Sequence, residues 1–534
     1  MSADLTLPCQ FETDVSLAAR AYYGIGGTAR FFAMPAALSD LSNLLLWNRE
    51  HHLPLALIGS GSNTLFSDSE FPGVVISLER MQRLFWLSDD ELFCESGVDN
   101  TTIAEELVAA EKGGGEWLYQ LPGQIGATVR MNARCFGGEV SHITAGILTL
   151  TVDGRLRWQL PDEVFHGYKH TSLMEQPEIV VAVLLRFSQR RSVEEIRQIM
   201  EGHKAERSRK HHFDFPSCGS TFKNNYTLGR PSGALFDELG FKGVREGGAM
   251  VSEYHANFIY NTGGATAEDV LRLAARMRSA ALDRTGVALE LEVQCVGVFD
   301  AKLLASSGVS FIPDRQNSSK GWSGLLWSPE QEEAVSPHYP RFLMQGPLVG
   351  YFGLDCEFPA GVQVTVEQLC SIDSARVAPK APFLRWTTRT PSPDLFLLKP
   401  PFPGCFTGKL WQYGVSELFI SGASDEGYLE FEMTPGGHWV ALRFAARRRR
   451  ASGYETLSSE PWNGKVRLMQ DEKSFGMEFC WELVEQYVCK EQVIGLQCCA
   501  SSGTGEYGLF PWWNSPQSPA DFHQPDQFFR IPLL

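Results

Sequence analysis

Several features that would each point to a class of protein are scarce in this sequence or missing from it. The 534 residues contain no apolar run near the roughly 18 residues of a membrane-spanning helix, and the best run, Ile179–Leu185, fits a buried strand. Residues 1–15 carry acidic side chains and no apolar core of signal-peptide length. The net charge of -16 argues against nucleic acid as a partner, since a phosphate backbone requires a basic surface.

The cysteines show neither a disulfide framework nor the spacing of a zinc site. All 12 are scattered irregularly, without a Cys-x-x-Cys pair, and Cys498 and Cys499 are adjacent. This distribution favours reduced thiols. The sequence therefore predicts a cytoplasmic location and no metal site.

What the sequence does contain is enough apolar residues for several cores. Apolar residues make up 43% and charged residues 21%, which is ordinary for a folded protein. At roughly 150 residues per domain, the length indicates three or four domains. Up to Gly297, strand-like segments alternate with helical ones, and helices are predicted over Val193–Arg209 and Ala267–Thr285. Prolines, tryptophans and short alternating strands dominate afterwards, which predicts an all-β sandwich.

Two glycine-rich segments could bind a ligand through the backbone. Gly59-Ser60-Gly61-Ser62-Asn63 follows the predicted strand Leu55–Ile58, and such a loop can direct backbone N–H groups at a pyrophosphate. Taken alone, this pentapeptide more often forms a tight turn than a phosphate-binding loop. The segment from Pro122 to Gly138 contains further glycines that would let the backbone approach a flat ring closely. The two segments together favour a dinucleotide lying extended between them.

A serine and two glutamates could carry acid–base chemistry. Ser220 lies in Ser217-Cys-Gly-Ser-Thr-Phe-Lys-Asn224, and Glu290 and Glu292 lie in Leu289-Glu-Leu-Glu-Val293. In a strand, residues two apart face the same side, so both carboxylates would lie opposite the apolar side chains. An edge strand with solvated glutamates is the alternative.

In this order, the glycine segments, the serine segment and the glutamate strand resemble the MurB-type UDP-N-acetylenolpyruvoylglucosamine reductases over about residues 15–299, in their shorter second subtype. The resemblance implies an α+β fold with an FAD-binding PCMH-type unit of two subdomains and an α/β substrate domain. The expected domains are residues 1–190 for FAD binding, 191–299 for substrate binding, 300–330 as a linker region and 331–534 as the sandwich.

The resemblance also implies residue roles. The family reduces UDP-N-acetylglucosamine enolpyruvate to UDP-N-acetylmuramate for peptidoglycan synthesis, with hydride passing from NADPH to FAD and then to the substrate. Ser220 matches the proton donor and Glu292 the catalytic glutamate. FAD would be bound by Gly59, Ser60, Gly61, Ser62, Asn63, Pro122, Gly123, Gly126, Asn132 and Ala133, and the nucleotide-sugar substrate by Lys223, Asn224, His255 and Asn257.

Three positions depart from the family pattern. Ala127 replaces a usual glycine, and Arg134 stands where a glycine normally follows Asn-Ala. The third catalytic residue is an arginine in the family, whereas this chain has Lys169, which keeps the charge and loses the bidentate fork. A reductase-like protein with impaired catalysis that binds a sugar or nucleotide sugar is therefore an alternative, and a flavin oxidase of the same superfamily is a weaker one.

The last third of the chain resembles a different family. Leu410-Trp411 to Ile420, Tyr428 to Gly437 and Asp521 to Phe528 are similar to segments of DOMON-like and family-nine carbohydrate-binding modules. Tryptophan rings can stack on sugars, which would make a carbohydrate the partner of this part. The alternative is that Trp411, Trp439 and Trp481 belong to the sandwich core.

Overall fold

The computed structural model describes most of residues 6–328 and parts of the chain beyond them. The gaps up to 328 are residues 87–88, 153, 315–316 and 318; beyond 328, the described ranges are 341–347, 349–350, 363–369, 383–390, 415–421, 427–446, 448–453, 456–463, 465–470, 474–480, 483, 493–501, 507–510 and 529–532. Trp411, Trp481 and residues 521–528, which carry part of the resemblance to carbohydrate-binding modules, lie outside the described residues.

The helices form where apolar residues recur at helical spacing. They are α1 (Leu38–His51), α2 (Asn100–Ala109), α3 (Ile125–Arg130), α4 (Pro161–Val164), α5 (Val193–Arg209), α6 (Ser232–Glu238), α7 (Ala267–Thr285) and α8 (Ala301–Ser307). The bounds predicted for α5 and α7 are confirmed. Ser192 and Thr266 cap their first turns through side-chain oxygens, and Gly286 ends α7 in the left-handed conformation, with φ of +72°.

Up to residue 328, the strands are β1 (Phe11–Ser16), β2 (Thr28–Ala33), β3 (Leu55–Ile58), β4 (Thr64–Phe66), β5 (Phe71–Ser77), β6 (Leu84–Trp86), β7 (Glu91–Glu95), β8 (Lys112–Gly113), β9 (Arg134–Cys135), β10 (Gly138–Glu139), β11 (Thr144–Thr151), β12 (Leu156–Gln159), β13 (Phe165–Gly167), β14 (His170–Thr171), β15 (Glu178–Arg186), β16 (Gln189–Arg190), β17 (Arg245–Glu246), β18 (Ala249–Val251), β19 (Ile259–Asn261), β20 (Gln294–Asp300), β21 (Ile312–Pro313), β22 (Lys320–Ser323) and β23 (Leu325–Trp327). Beyond 328 they are β24 (Arg341–Pro347), β25 (Val349–Gly350), β26 (Gln363–Leu369), β27 (Phe383–Arg389), β28 (Val415–Ser421), β29 (Tyr428–Met433), β30 (Trp439–Ala446), β31 (Arg449–Arg450), β32 (Val466–Gln470), β33 (Ser474–Cys480), β34 (Val493–Ser501), β35 (Tyr507–Phe510) and β36 (Phe529–Pro532).

Two sheets form the first part of the chain. The first has the order β1-β2-β5-β3-β23, and β2, β5 and β3 run parallel, with α1 connecting β2 to β3. In the second, β11 pairs antiparallel with β15, which pairs antiparallel with β7. α2 and α3 pack against the second sheet through buried residues that include Ile103, Leu107 and Val129. The loop after β3 and the start of α3 contribute the two glycine segments.

The expected substrate domain contains a layer of α6, α7 and the small sheet β17-β18-β19, whereas α5 packs against α2 through Ile196 and Met200. Its core contains Phe222, Leu235 and Leu271, together with Leu289 and Val293 from the glutamate segment. The mixed α and β content up to residue 300 agrees with the expected fold class.

Residues 301–327, expected to be a linker region, contain regular structure. α8 follows β20 directly, β22 pairs antiparallel with β20, and β23 pairs antiparallel with β3. β20 itself pairs in parallel with β4, so before it enters the last third the chain returns to the neighbourhood of β3 and β4, the strands on either side of the glycine loop. Where the domains divide remains a prediction.

The last third is rich in β-structure. β24, β26, β27, β33 and β32 continue the second sheet, because β24 pairs in parallel with β12. β25, β35, β34, β28, β29, β30 and β31 form another sheet, with β36 paired to β34. The two sheets face each other: the Phe431 and Phe479 ring centroids are 4.2 Å apart, and Thr388 Oγ1 lies 2.6 Å from Ser416 Oγ. The relation to DOMON-like modules remains a prediction.

None of the helices built by the described residues combines the length and the apolar character needed to cross a lipid bilayer.

Candidate active site

The loop Gly59–Asn63 presents unused hydrogen-bonding groups between β3 and β4. Gly61 has φ of +69°, and a Cβ atom there would lie 2.4 Å from the Arg20 carbonyl oxygen, so this position requires glycine. No described residue accepts a hydrogen bond from the backbone N–H groups of Ser60 or Gly61. Ser60 Oγ and Asn63 Oδ1 are buried without a described partner. These groups fit the phosphate-binding role that was predicted for the loop.

The second glycine segment lies directly against this loop. Ser62 Oγ donates a hydrogen bond to the Pro122 carbonyl oxygen at 3.0 Å. Gly123 adopts φ of +137°, and the Gly126 N–H donates to the Ser96 carbonyl oxygen at 3.0 Å. A Cβ atom on Gly126 would lie 1.7 Å from Ser96 Oγ. The absence of a side chain at Gly126 therefore lets α3 begin in contact with the end of β7.

Gly126→Ala should consequently destabilise the protein. We expect a loss of about 1–3 kcal/mol in unfolding free energy, because the added methyl group must displace Ser96 from a packed position. Calorimetric or urea unfolding measures the change. Gly202→Ala is the matched control: Gly202 lies in α5 with nothing near its Cβ position, so the same substitution should stabilise by about 0.5–1 kcal/mol. Equal effects of the two substitutions would contradict the packing argument.

The two glycine segments face one another across a cleft. A Cβ atom on Gly59 would lie 3.1 Å from Ala127 Cβ, so the family departure at Ala127 narrows the cleft at this point. The cleft is lined by Leu57–Thr64, Leu78, Ser96, Gln124, Gly126, Ala127, Arg130, Met131, Glu178, Val180, Gln294, Val296 and Gly324–Leu326. The contribution of residues 324–326 was not anticipated, because they lie in the expected linker region.

Asn132 and Ala133 form the turn after α3. Asn132 has φ of +40°, and its Nδ2 donates to Glu139 Oε1 and to the Gly167 carbonyl oxygen, both at 2.9 Å. The second family departure, Arg134, lies beside this turn; its side chain is 44% exposed and its Nε is 3.8 Å from Glu139 Oε2. The additional cation at Arg134 is therefore largely solvated and accompanied by a carboxylate.

Ser220 is held in place by backbone pairing on both sides. The Thr221 carbonyl oxygen accepts from the Glu292 N–H at 2.8 Å, and the Thr221 N–H donates to the Asn257 carbonyl oxygen at 2.7 Å. The Asn257 amide group is occupied as well: its Oδ1 accepts from the Phe222 N–H at 3.0 Å and its Nδ2 donates to the Phe222 carbonyl oxygen at 2.8 Å. Asn257, predicted to contact substrate, is therefore used to position the strand that carries Ser220.

Lys169 and Glu292 form a buried ion pair between two parts of the chain. Lys169 Nζ donates to Glu292 Oε1, and each side chain is 13% exposed. Lys169 has φ of +49° at the tip of the β13–β14 hairpin. Asn63 Nδ2 donates to the Glu292 carbonyl oxygen at 3.1 Å, so the glycine loop, the hairpin and the glutamate meet at one place.

Burial disfavours the charged form of the Lys169 side chain. It lowers the pKa of the ammonium group from 10.5 to about 8; nearby Cys135 opposes the shift and Lys223 adds to it. The Glu292 carboxylate, at hydrogen-bonding distance, favours the charged form of Lys169 as long as it is itself ionised.

Of the other predicted substrate residues, Lys223 lies near Lys169, whereas the ring of His255 packs against those of His212 and Phe258. Glu290 is 74% exposed and accepts from Lys223 Nζ at 3.0 Å, so only Glu292 of the two glutamates is buried. Asn224 Oδ1 accepts from the Ser232 N–H at 2.9 Å and caps the start of α6. The half-buried His255 has an Nδ1 without a described partner, and burial lowers its pKa.

Two arginines near the cleft, Arg130 and Arg207, were not predicted from the sequence as site residues. Arg130 projects from α3, where burial lowers its pKa to about 10. Arg207, only 4% exposed, donates from Nη2 to Cys135 Sγ at 3.5 Å, and its Nη1 has no described partner. Cys135 interacts electrostatically with Lys169 as well. Arg130 lies inside the second glycine segment, where no role was predicted for it, and Arg207 lies in α5 outside the motifs, so only the fold shows that both are near the site.

Comparison with known proteins agrees with this geometry. Residues 29–158 match the FAD binding domain family, and residues 211–296 match the family described as UDP-N-acetylenolpyruvoylglucosamine reductase, C-terminal domain. These matches define an FAD-binding protein.

Relatives of known name cover the same part of the chain. The UDP-N-acetylenolpyruvoylglucosamine reductase of Pelobacter propionicus is 39% identical over 276 residues, which is 51% of this chain and 91% of the relative. That of Geobacter metallireducens is 38% identical over 273 residues, 51% of this chain and 89% of the relative. The crystal structure of the Thermus caldophilus enzyme is 31% identical, with a TM-score of 0.46, and covers 54% of this chain and 98% of that one. The chain belongs to the UDP-N-acetylenolpyruvoylglucosamine reductase family.

Proposed function

We propose that this chain reduces UDP-N-acetylenolpyruvoylglucosamine to UDP-N-acetylmuramate, with FAD as bound cofactor and NADPH as reductant, in the synthesis of peptidoglycan precursors. One observation carries the proposal: the glycine loop, the Lys169–Glu292 ion pair and the Ser220 strand are joined by direct hydrogen bonds. Family membership supports the same activity.

The cleft residues fit FAD. The free N–H groups of the Gly59–Asn63 loop and the unpartnered Ser60 Oγ would hold the pyrophosphate. The segment from Pro122 to Ala133 would hold the flavin ring, with Gly123 and Gly126 allowing the backbone close to it. When bound, the reduced cofactor supplies a hydride to the substrate double bond, having received it from NADPH.

Ser220 would supply the proton that completes the reduction. Hydride addition to one carbon of the enol ether leaves negative charge next to the substrate carboxylate, and the Ser220 hydroxyl donates its proton to that carbon. Lys169 holds positive charge beside Glu292, where it stabilises the developing charge. Each turnover consumes one NADPH and one solvent proton, which restores the hydroxyl, and releases NADP+. Lys223, Asn224 and His255 would contact the nucleotide sugar.

Visible absorbance of the purified chain tests this proposal. We expect a yellow protein whose flavin absorbance is bleached by NADPH and restored by UDP-N-acetylenolpyruvoylglucosamine under anaerobic conditions. Protein that cannot be loaded with FAD would instead favour a binding protein without catalysis. A flavin that oxygen reoxidises and the substrate does not would favour an oxidase.

Two finer points belong to the same proposal. We propose a cytoplasmic location: the free thiols among the described residues include Cys9, Cys94 and Cys218, and thiols persist in reducing compartments. We also propose carbohydrate binding by the last third, on the motif resemblance alone. Trp439, the one tryptophan of that motif set within the described residues, is half-buried and packs against the core.

A further inference from the structure

Three glutamate side chains converge inside the last third of the chain. Glu417, Glu430 and Glu432 are 5%, 5% and 0% exposed, and one carboxylate oxygen from each lies within 4.8 Å of the others. This arrangement is unexpected in a β-sheet interior, where burial of a single ionised carboxylate is already costly unless it is paired or coordinates a metal.

The sheet places these groups on one face by register. Glu417 on β28 pairs directly with Glu432 on β29, and on its other side with Cys499 on β34. Glu430 lies two residues before Glu432 and so points to the same side. The Cys499 thiol donates a hydrogen bond to Glu417 Oε2. Four potential ligands from three adjacent strands therefore surround one point.

A second observation shows that the protein itself does not complete this cluster. The fully buried Glu432 carboxylate has no hydrogen-bond partner among the described residues outside the glutamate cluster itself. A buried polar group left unsatisfied costs about 1–3 kcal/mol, and more when it is charged, so a carboxylate whose only described partners are other carboxyl groups indicates a missing ligand.

The electrostatics agree with a missing cation. Burial raises the pKa of all three carboxyl groups, and repulsion from Glu417 raises those of Glu430 and Glu432 further. Arg450 opposes the shift of the latter two. Without a ligand the cluster would hold protons, and a bound cation would replace them.

We propose that Glu417, Glu430 and Glu432 bind one divalent metal ion, with Cys499 beside them as a further donor. The sequence, in which no metal spacing was recognised, had predicted no metal site. Carboxylate oxygens suit Mn2+ or Ca2+, whereas a cysteine thiolate in the same set suits Zn2+. The site lies on sheet strands rather than loops, which fixes the ligand spacing.

Metal titration of the full chain tests the proposal. After removal of metals with a chelator and extensive dialysis, Mn2+, Ca2+ and Zn2+ are added in turn, and bound metal is measured after gel filtration. We expect one equivalent per chain and an upward shift in the unfolding temperature. Glu432→Gln, which keeps the side-chain shape, should weaken binding at least tenfold. Glu460→Gln is the matched control, because Glu460 is an exposed glutamate of the same region.

The outcomes separate clearly. Absence of stoichiometric Mn2+, Ca2+ and Zn2+ binding by the unmodified chain would overturn the proposal without any variant, and so would binding that Glu417→Gln and Glu432→Gln leave unchanged. A Zn2+ preference lost in Cys499→Ser would add the thiol to the ligands. Reductase turnover, measured on the same samples, should be unaffected in every variant, because these residues lie outside the reductase site.

Discussion

Replacing Ser220 by alanine should abolish turnover of the enolpyruvyl substrate and leave reduction of the flavin by NADPH intact. Loss of a positioned general acid costs roughly 10²–10⁴-fold in rate, and the backbone pairing of Thr221 with Glu292 and Asn257 should keep the strand in place without the hydroxyl. Stopped-flow absorbance separates the two half-reactions, since bleaching and recovery of the flavin are followed independently.

Ser217→Ala is the control for this experiment. Ser217 lies in the same segment, and its Oγ accepts only a long hydrogen bond from the Gly219 N–H, at 3.5 Å, among the contacts described. Its removal should leave both half-reactions close to those of the unmodified chain. If Ser220→Ala reduced the substrate as fast as Ser217→Ala does, another group would have to donate the proton.

The second large effect is expected at Lys169. Lys169→Met removes the cation and leaves the buried Glu292 carboxylate unpaired, and breaking a buried ion pair costs about 3–5 kcal/mol. We expect kcat/KM for the substrate half-reaction to fall about 10²–10³-fold, as when a transition-state donor is removed. Lys169→Arg is the matched variant: it retains the charge and should keep or raise the activity.

The pH dependence of these variants gives an independent test. The cationic form of Lys169 is the active one, and its pKa is lowered to about 8. Activity should therefore fall as pH rises through about 8. An arginine keeps its charge throughout this range, so Lys169→Arg should move the alkaline decline upward. An unchanged decline would assign it to a different group.

Local patterns in the sequence were sufficient to predict the elements near the site. β3 at Leu55–Ile58, α5 and α7 have the expected bounds, because apolar periodicity, capping side chains and a terminal glycine act within one turn of the helix or strand end. α2 begins at Asn100, where the Asp99 side chain caps the first turn by accepting from the Thr101 N–H. The strands of the expected linker region could not be predicted in the same way, because they are short and pair with segments distant in the sequence.

The sequence by itself determined the family and located the glycine loops, and it predicted Ser220 and Glu292 as the acid–base residues, because these inferences depend on short segments whose chemistry is local. Only the tertiary structure decided that the Asn257 amide binds the Phe222 backbone, that Lys169 reaches Glu292 across the chain, and that Arg207 lies beside Cys135. It also decided that the carboxylates of Glu417, Glu430 and Glu432, which lie on two neighbouring strands, converge in the protein interior. Such contacts depend on strand register and on packing between distant segments, and the spacing of residues along the chain does not encode either directly.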